Sequence, residues 1–292
     1  MLKDKNIAVK NGKGFKLSKF DTAYKDGYHS EEKIKNDLEN YKNKIEKLQN
    51  KLFASGSHSL LIVLQAMDAA GKDSLIKHVM SGINPQGCEV TRFEKPSNEE
   101  VAHDFLWRAV KALPEKGHIG IFNRSYYEEV LVAKVHPELL LRQKLPDINT
   151  EKDANDKFWE HRYASICDME RHLVNNGTVI IKVFLNMSKA EQKNRFMERI
   201  EDPEKHWKFS YDDLTERKLW GKYMKAYDTM ISKTATDYAP WYIIPADDQW
   251  VSRIMVCEIL LKALENLDVC YPVVSRDDGE LLKKGKAELE AE

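Results

Sequence analysis

The sequence predicts an α/β fold, a parallel β-sheet flanked by helices with a helical lid. Three observations carry this. Short apolar, β-rich runs recur from residue 58 onward, longer amphipathic stretches separate them, and one run leads directly into a loop of small residues followed by a helix. Strands alternating with helices imply right-handed βαβ units and a sheet covered on both faces. Ligands of such sheets sit at the carboxyl ends of the strands.

Taken in order, residues 1–29 are polar, mixed in charge and interrupted by Gly12, Gly14 and Gly27, so they read as an extended arm. Ser30 is a candidate N-cap, and Ile34, Leu38, Tyr41, Ile45, Leu48 and Leu52 then alternate at intervals of four and three. That spacing predicts one long helix with a heptad-like stripe. Packing of the stripe on its own domain is the preferred reading, a subunit contact the alternative. Strands are expected at Ser59–Leu64, Cys88–Phe93, Ile119–Phe122, Thr178–Leu185 and Trp241–Ile244. Two intervening helices open with capping boxes, Ser97 with Glu100 and Ser188 with Glu191. The organisation is thus an arm and long amphipathic helix over 1–55, a core over 56–272 with its lid at about 195–222, and a charged tail over 273–292 that reads as loosely attached.

Bulk composition excludes some partners. The 292 residues carry a net charge of -1 and are 42% hydrophobic, so the overall field does not point to nucleic acid or an anionic membrane. Cys88, Cys167, Cys257 and Cys270 are far apart and show no zinc spacing, which suits free thiols in a reducing compartment. No apolar segment opens the chain and none is long enough to span a bilayer, so the expected location is cytoplasmic.

The loop Ala66-Met67-Asp68-Ala69-Ala70-Gly71-Lys72-Asp73 lies between the Leu60–Leu64 run and a helix containing Leu75, Ile76 and Val79. This strand–loop–helix context gives a Walker A-like match its meaning. Small residues at Ala69, Ala70 and Gly71 let backbone N–H groups converge on phosphate oxygens, and Lys72 adds a mobile charge. Two departures stand out. Ala66 replaces the first glycine, and Asp73 replaces the Ser or Thr that would bind magnesium. Asp68 inside the cradle would repel phosphate unless a divalent cation bridges them or it handles the acceptor; capping of the turn by Asp68 is the structural alternative. The architecture that follows is a P-loop kinase.

A second cluster, Asn123-Arg124-Ser125-Tyr126-Tyr127-Glu128-Glu129, ends the strand at Ile119–Phe122. Asn123 stands where a Walker B Asp is expected and can hydrogen-bond without bringing charge. Arg124 offers a planar fork for phosphate oxygens. Glu128 and Glu129 fall in a first helical turn, which favours acids; as a pair they also suit a metal or acceptor role. Further on, Lys189, Lys193, Arg195 and Arg199 precede Lys205-His206-Trp207-Lys208, where Pro203 breaks the helix. An ordinary solvated face explains part of this, and a cationic lid over a chain of phosphates explains the clustering.

These motifs resemble polyphosphate kinase family 2, in particular its third subclass, the polyphosphate:AMP/ADP phosphotransferases. The resemblance runs from about Asp21 to Pro272. It rests on the Met67–Asp73 loop, Asn84-Pro85-Gln86-Gly87-Cys88, the Phe122–Val132 block, Lys205–Ser210 and Ala239-Pro240-Trp241-Tyr242-Ile243-Ile244-Pro245-Ala246-Asp247. It implies a thymidylate-kinase-like fold, Mg2+ dependence with Mn2+ as a substitute, and transfer of a terminal phosphate from inorganic polyphosphate to AMP, ADP and other nucleoside phosphates such as GMP and GDP. A homo-oligomer, dimer or tetramer, is expected, with no nucleic acid or membrane partner.

Carried over by position, the resemblance makes Asp68, Lys72, Asn123, Arg124, Glu128 and Glu129 catalytic, with Asp68 and Glu129 holding metal. Phosphate and polyphosphate contacts fall to Ala69, Ala70, Gly71, Lys72, Asp73, Ser74, Arg195, Arg199, Lys205, His206 and Lys208. Arg124, Tyr127, Glu129, Val132 and Lys134 are the nucleotide-binding set. Ser74 stands where the family usually has Gly. Two other readings stay open: an ATP-dependent nucleoside monophosphate kinase of the same architecture, which Asp73 disfavours, and a non-catalytic nucleotide- or polyphosphate-binding protein.

Overall fold

The computed structural model describes residues 7–25, 27–28 and 30–292. Strand β1 (Ala8–Val9) and helix α1 (Glu31–Ser55) precede β2 (Ser59–Ala66), α2 (Lys72–Val79), β3 (Cys88–Arg92), α3 (Asn98–Ala102), α4 (Trp107–Lys111) and β4 (Ile119–Asn123). Then follow α5 (Glu128–Val135), α6 (Glu138–Leu141), α7 (Asp156–Asn175), β5 (Thr178–Asn186), α8 (Lys189–Glu201), α9 (Tyr211–Lys218), α10 (Trp220–Thr234), β6 (Trp241–Pro245), α11 (Gln249–Asn266) and α12 (Arg276–Glu290). The sheet runs β1-β6-β5-β2-β4-β3 and is parallel throughout except for β1 on β6.

Each of the five expected strands forms, and four of them run past the expected end by one or two residues. The central strands β2 and β4 are buried along their whole length, as strands covered on both faces must be. The chain passes from β2 out to β3 on one side, returns to β4, then crosses to β5 on the other side of β2. The carboxyl end of β2 is therefore a topological switch point, where such sheets open a crevice.

The arm contributes a strand that its polar composition hid. Only two residues of β1 pair with β6, in the register Ala8 to Tyr242 and Val9 to Trp241, too short a run for any periodic signal. The long helix forms as expected, with the Ser30 hydroxyl accepting from the Lys33 N–H at 3.3 Å. Its stripe is consumed internally: Ile34, Leu38, Ile45 and Leu52 are buried and the helix lies along α11. The Asn84–Gly87 turn seats the same helix, because a Cβ on Gly87 would lie 2.2 Å from the Gln49 amide.

Of the two expected capping boxes, Ser97 and Glu100 cap each other reciprocally. At Ser188 only the half in which the hydroxyl accepts from Glu191 N–H is formed. The tail is helical and carries no buried residue. It forms α12, whose N-cap Ser275 accepts from Asp278 N–H at 3.1 Å. Among the described residues no helix is long and apolar enough to cross a membrane.

Candidate active site

The end of β2 turns into a strained loop. Ala69 has φ of +63° and Gly71 of +99°, both in the left-handed region that costs a residue with a side chain about 1 kcal/mol or more. Strain of this kind persists where a backbone must aim its N–H groups, and here α2 starts immediately afterwards. Lys72, at its first turn, folds back so that Nζ donates to the carbonyls of Ala66 at 3.0 Å and Met67 at 3.4 Å. Burial pushes its pKa below the ordinary lysine value, with Asp68 opposing.

The end of β4 lies beside the end of β2, with Asn123 in register with Leu64. Arg124 also has a positive φ, +63°. Its N–H donates to Leu64 O at 3.1 Å, and its Nη2 reaches Asp68 Oδ1 at 2.9 Å. Asn123 Nδ2 donates to Asp73 Oδ1 at 2.6 Å. The two departures from a standard P-loop are thus partners: the carboxylate has moved to the first motif and the neutral group to the second. Asn123→Asp would set two carboxylates in that contact. Melting should show a loss of about 1–3 kcal/mol, smaller at low pH and in millimolar divalent cation, because protonation or a cation relieves like charges.

Glu128 and Glu129 diverge, as helical neighbours roughly 100° apart must. Glu128 faces the cradle: burial raises its pKa, and Arg124, Lys72 and the Gln65 side chain oppose the rise. Glu129 lines a separate, small cavity with Phe105, Arg108 and Gln143. Its carboxylate accepts from Gln143 Nε2 at 2.7 Å and lies 3.4 Å from both Arg108 Nη2 and Arg162 Nη1. With two guanidinium groups on it, this carboxylate does not fit the metal-ligand expectation. The Asp68 carboxylate is a hard oxygen donor at the mouth of the cradle and does fit. Among the described residues no three His, Cys, Asp or Glu side chains form a ready-made metal cluster, which suits a cation held mainly through substrate phosphates and water.

The remaining nucleotide-set residues scatter. Tyr127 is fully buried, its hydroxyl donating to Glu170 at 2.7 Å and lying 3.1 Å from Lys182 Nζ. Lys182 and Glu170 form a buried ion pair at 2.7 Å that also ties down Tyr126. Tyr127 therefore anchors the loop carrying Arg124. Lys134 points at Tyr163 Oη, 3.2 Å away, over the Trp159 and Tyr163 rings. Val132 is half-buried.

In the basic segment, Arg195 departs most from expectation. It is buried, donating to the carbonyls of Ala69 (3.2 Å), Ala70 (2.9 Å) and Asp247 (3.3 Å) and to Glu191 Oε1 (2.8 Å), with Ala246 O also accepting. It clamps the phosphate loop from behind through Nη1, while Nη2 serves the carbonyls after β6 and Nε its own helix. Ser74 is held similarly: its hydroxyl accepts from Arg253 Nη2 at 2.8 Å, so α2 is tied to α11 there. Arg199 pairs with Asp213 at 3.2 Å, Lys205 with Asp202 at 3.0 Å, and His206 Nε2 lies 2.9 Å from Ile200 O. The Lys208 ammonium sits 5.0 Å from the centre of Trp207, which is 78% exposed.

Sequence reasoning missed Gln65, Arg108, Gln143, Arg162, Gln192 and Asp213. Gln192 donates to Asp68 O at 3.0 Å; burial and the nearby Asp68 push the Asp213 carboxyl up. The only available signal was the i, i+3 spacing of Gln192 and Arg195, which puts both on one face of α8.

With this geometry in hand, comparison with known proteins is informative. The chain matches the family model described as "Polyphosphate kinase 2 (PPK2)" over residues 28–271. It is 46% identical over 271 residues to a Rhodopseudomonas palustris protein named ADP-polyphosphate phosphotransferase, covering 93% of each. It is 45% identical over 229 residues to the AMP/ADP-polyphosphate phosphotransferase of Meiothermus ruber, covering 78% of this chain and 80% of that one. The crystal structure of Polyphosphate Kinase 2 from Arthrobacter aurescens TC1 superposes with a TM-score of 0.84 at 40% identity, over 94% of this chain and 95% of that chain.

Proposed function

The chain belongs to the polyphosphate kinase 2 family, a family of phosphotransferases on the P-loop kinase fold, and from that premise we propose that it moves the terminal phosphoryl group of inorganic polyphosphate to AMP and ADP, and to GMP and GDP. The observation that supports this best is the convergence of Asp68, Lys72 and Arg124 at the adjoining carboxyl ends of β2 and β4. Phosphoryl transfer demands positioning and charge stabilisation more than covalent help from the protein.

The reaction breaks the last P–O–P bond of the donor and forms a new one to a terminal phosphate oxygen of the acceptor, leaving polyphosphate one unit shorter. Lys72 leaves its loop carbonyls for the transferring group. Arg124, held by its strained backbone, grips the same group from the β4 side. Asp68 would hold a divalent cation, Mg2+ with Mn2+ as a substitute, which would neutralise charge on the phosphates. Glu129 orients Arg108 and Arg162 toward an acceptor phosphate. The exposed cations Lys205, His206 and Lys208 on the segment after α8 meet the polyphosphate chain, and closure of that segment excludes water. Free cysteines suit a cytoplasmic setting.

The test is ATP formation from ADP and polyphosphate with Mg2+, and ADP formation from AMP, with no other donor. Product in both reactions is expected. Failure there, with AMP phosphorylated by ATP alone, would replace this reading with the ATP-dependent one.

A further inference from the structure

Glu170 and Lys182 are fully buried, and the transfer reaction gives them no direct part. Glu170 lies on α7. Its Oε1 accepts from the hydroxyls of both Tyr126 (2.8 Å) and Tyr127 (2.7 Å), while Oε2 meets Lys182 Nζ at 2.7 Å. Lys182, on β5, also donates to Tyr127 Oη at 3.1 Å and to Thr234 O at 2.7 Å, at the end of α10. All three hydrogens of the ammonium thus have acceptors. Burial and the Glu170 charge push the pKa of both phenols well above the ordinary value, so both hydroxyls stay donors.

Stability alone does not explain this cluster. Taking two charges out of water consumes most of what their attraction returns, and apolar residues of similar volume commonly do as well or better. Hydrogen bonds differ from apolar packing in being directional, and these converge on the pair that follows Arg124-Ser125. Arg124 has φ of +63°, a backbone state that persists only where its surroundings over-determine it. On one side its N–H is held by Leu64 O at 3.1 Å. On the other, the chain immediately downstream is fixed by Tyr126 and Tyr127. The guanidinium itself is partly exposed and meets Asp68 at 2.9 Å, so its aim depends on its backbone.

We propose that Glu170 and Lys182 are positioning residues: through Tyr126 and Tyr127 they hold the left-handed turn that aims Arg124 at the transferring phosphoryl group. Neither residue touches substrate. The inference rests on the role given to Arg124 in the transfer reaction, and it separates two properties of the cluster, its contribution to folding and its contribution to rate.

Kinetics and melting of the full chain test this. The pair Tyr126→Phe and Tyr127→Phe removes the hydroxyls alone. It should lower kcat for ATP formation by roughly tenfold to a hundredfold, with KM for ADP and polyphosphate within about twofold of the parent's. Adding Glu170→Leu and Lys182→Met makes the cluster apolar. The melting temperature should then return to the parent's or above, with kcat still low. In an Arg124→Lys background the two Phe substitutions should cost less than about twofold further, since their effect passes through the guanidinium. Recovery of kcat together with melting temperature overturns the proposal, as does a loss that multiplies with that of Arg124→Lys. A crystal structure of the Phe pair asks the same question without turnover: the Arg124–Asp68 contact should be broken or shifted, and an unaltered contact overturns the proposal. A parent chain that makes no ATP from ADP and polyphosphate fails the transfer reading alone, and that crystal structure still decides this one.

Discussion

Lys72→Met should lower kcat/KM for ATP formation from polyphosphate by a factor on the order of 100 to 1,000 while leaving the fold intact or slightly more stable. The activity loss follows from removing the one mobile full charge at the start of α2, in a loop whose backbone is already shaped to receive an anion. The stability gain follows from burial. Lys72 is 9% exposed and its ammonium leans on two carbonyls and the field of Asp68. Desolvation lowers its folded pKa below the usual 10.5, so the unfolded chain holds that proton more firmly. Stability of the parent therefore rises with pH as the solution passes from the folded pKa toward the unfolded one. The advantage of the Met variant should be fully present below the folded pKa and fade through that window. Thermal melts at neutral and alkaline pH, run beside the activity assay, check both halves. A variant that loses activity and also several degrees of melting temperature would mean Lys72 is a structural strut.

Arg195→Leu should have the largest effect on stability, about 3 kcal/mol or more. It removes every donor now serving the carbonyls of Ala69, Ala70 and Ala246 from α8, and each buried acceptor left without a partner costs about 1–3 kcal/mol. Glu191, now 2.8 Å from Nε, loses its partner as well. Because Ala69 sits in the left-handed region, a loop freed from this clamp should relax. ATP formation is then expected to fall through kcat, with KM for polyphosphate little changed. Arg199→Leu is the contrast: its ion pair with Asp213 is partly exposed, so melting should shift little while KM for polyphosphate rises. Equal, small melting shifts in the two variants would return Arg195 to the polyphosphate path.

Much of this was legible in the sequence because it depends on near neighbours. A run such as Leu60–Leu64 can only be a buried strand, and a small-residue loop entering a helix at Lys72 makes an anion cradle whatever surrounds it. The Asn123 block and the Ser30 cap were readable for the same reason. Illegible were β1, two residues long, and the helical state of the tail, whose mixed charges resemble those of any solvated end. The partners of Arg195, Tyr127 and Glu129 were equally hidden, since each side chain is tied to residues far away in the chain.

The sequence by itself determined the five parallel strands, the small-residue loop after β2 and the two motifs that meet there, since backbone geometry is set by residues close in the chain. Only the tertiary structure decided which partner each charged side chain takes. Arg195 reaches carbonyls about 50 and 125 residues away, and Glu129 answers to Arg108 and Arg162 from either side in the chain. A long side chain's partner depends on which elements fold against it, and no local pattern encodes that.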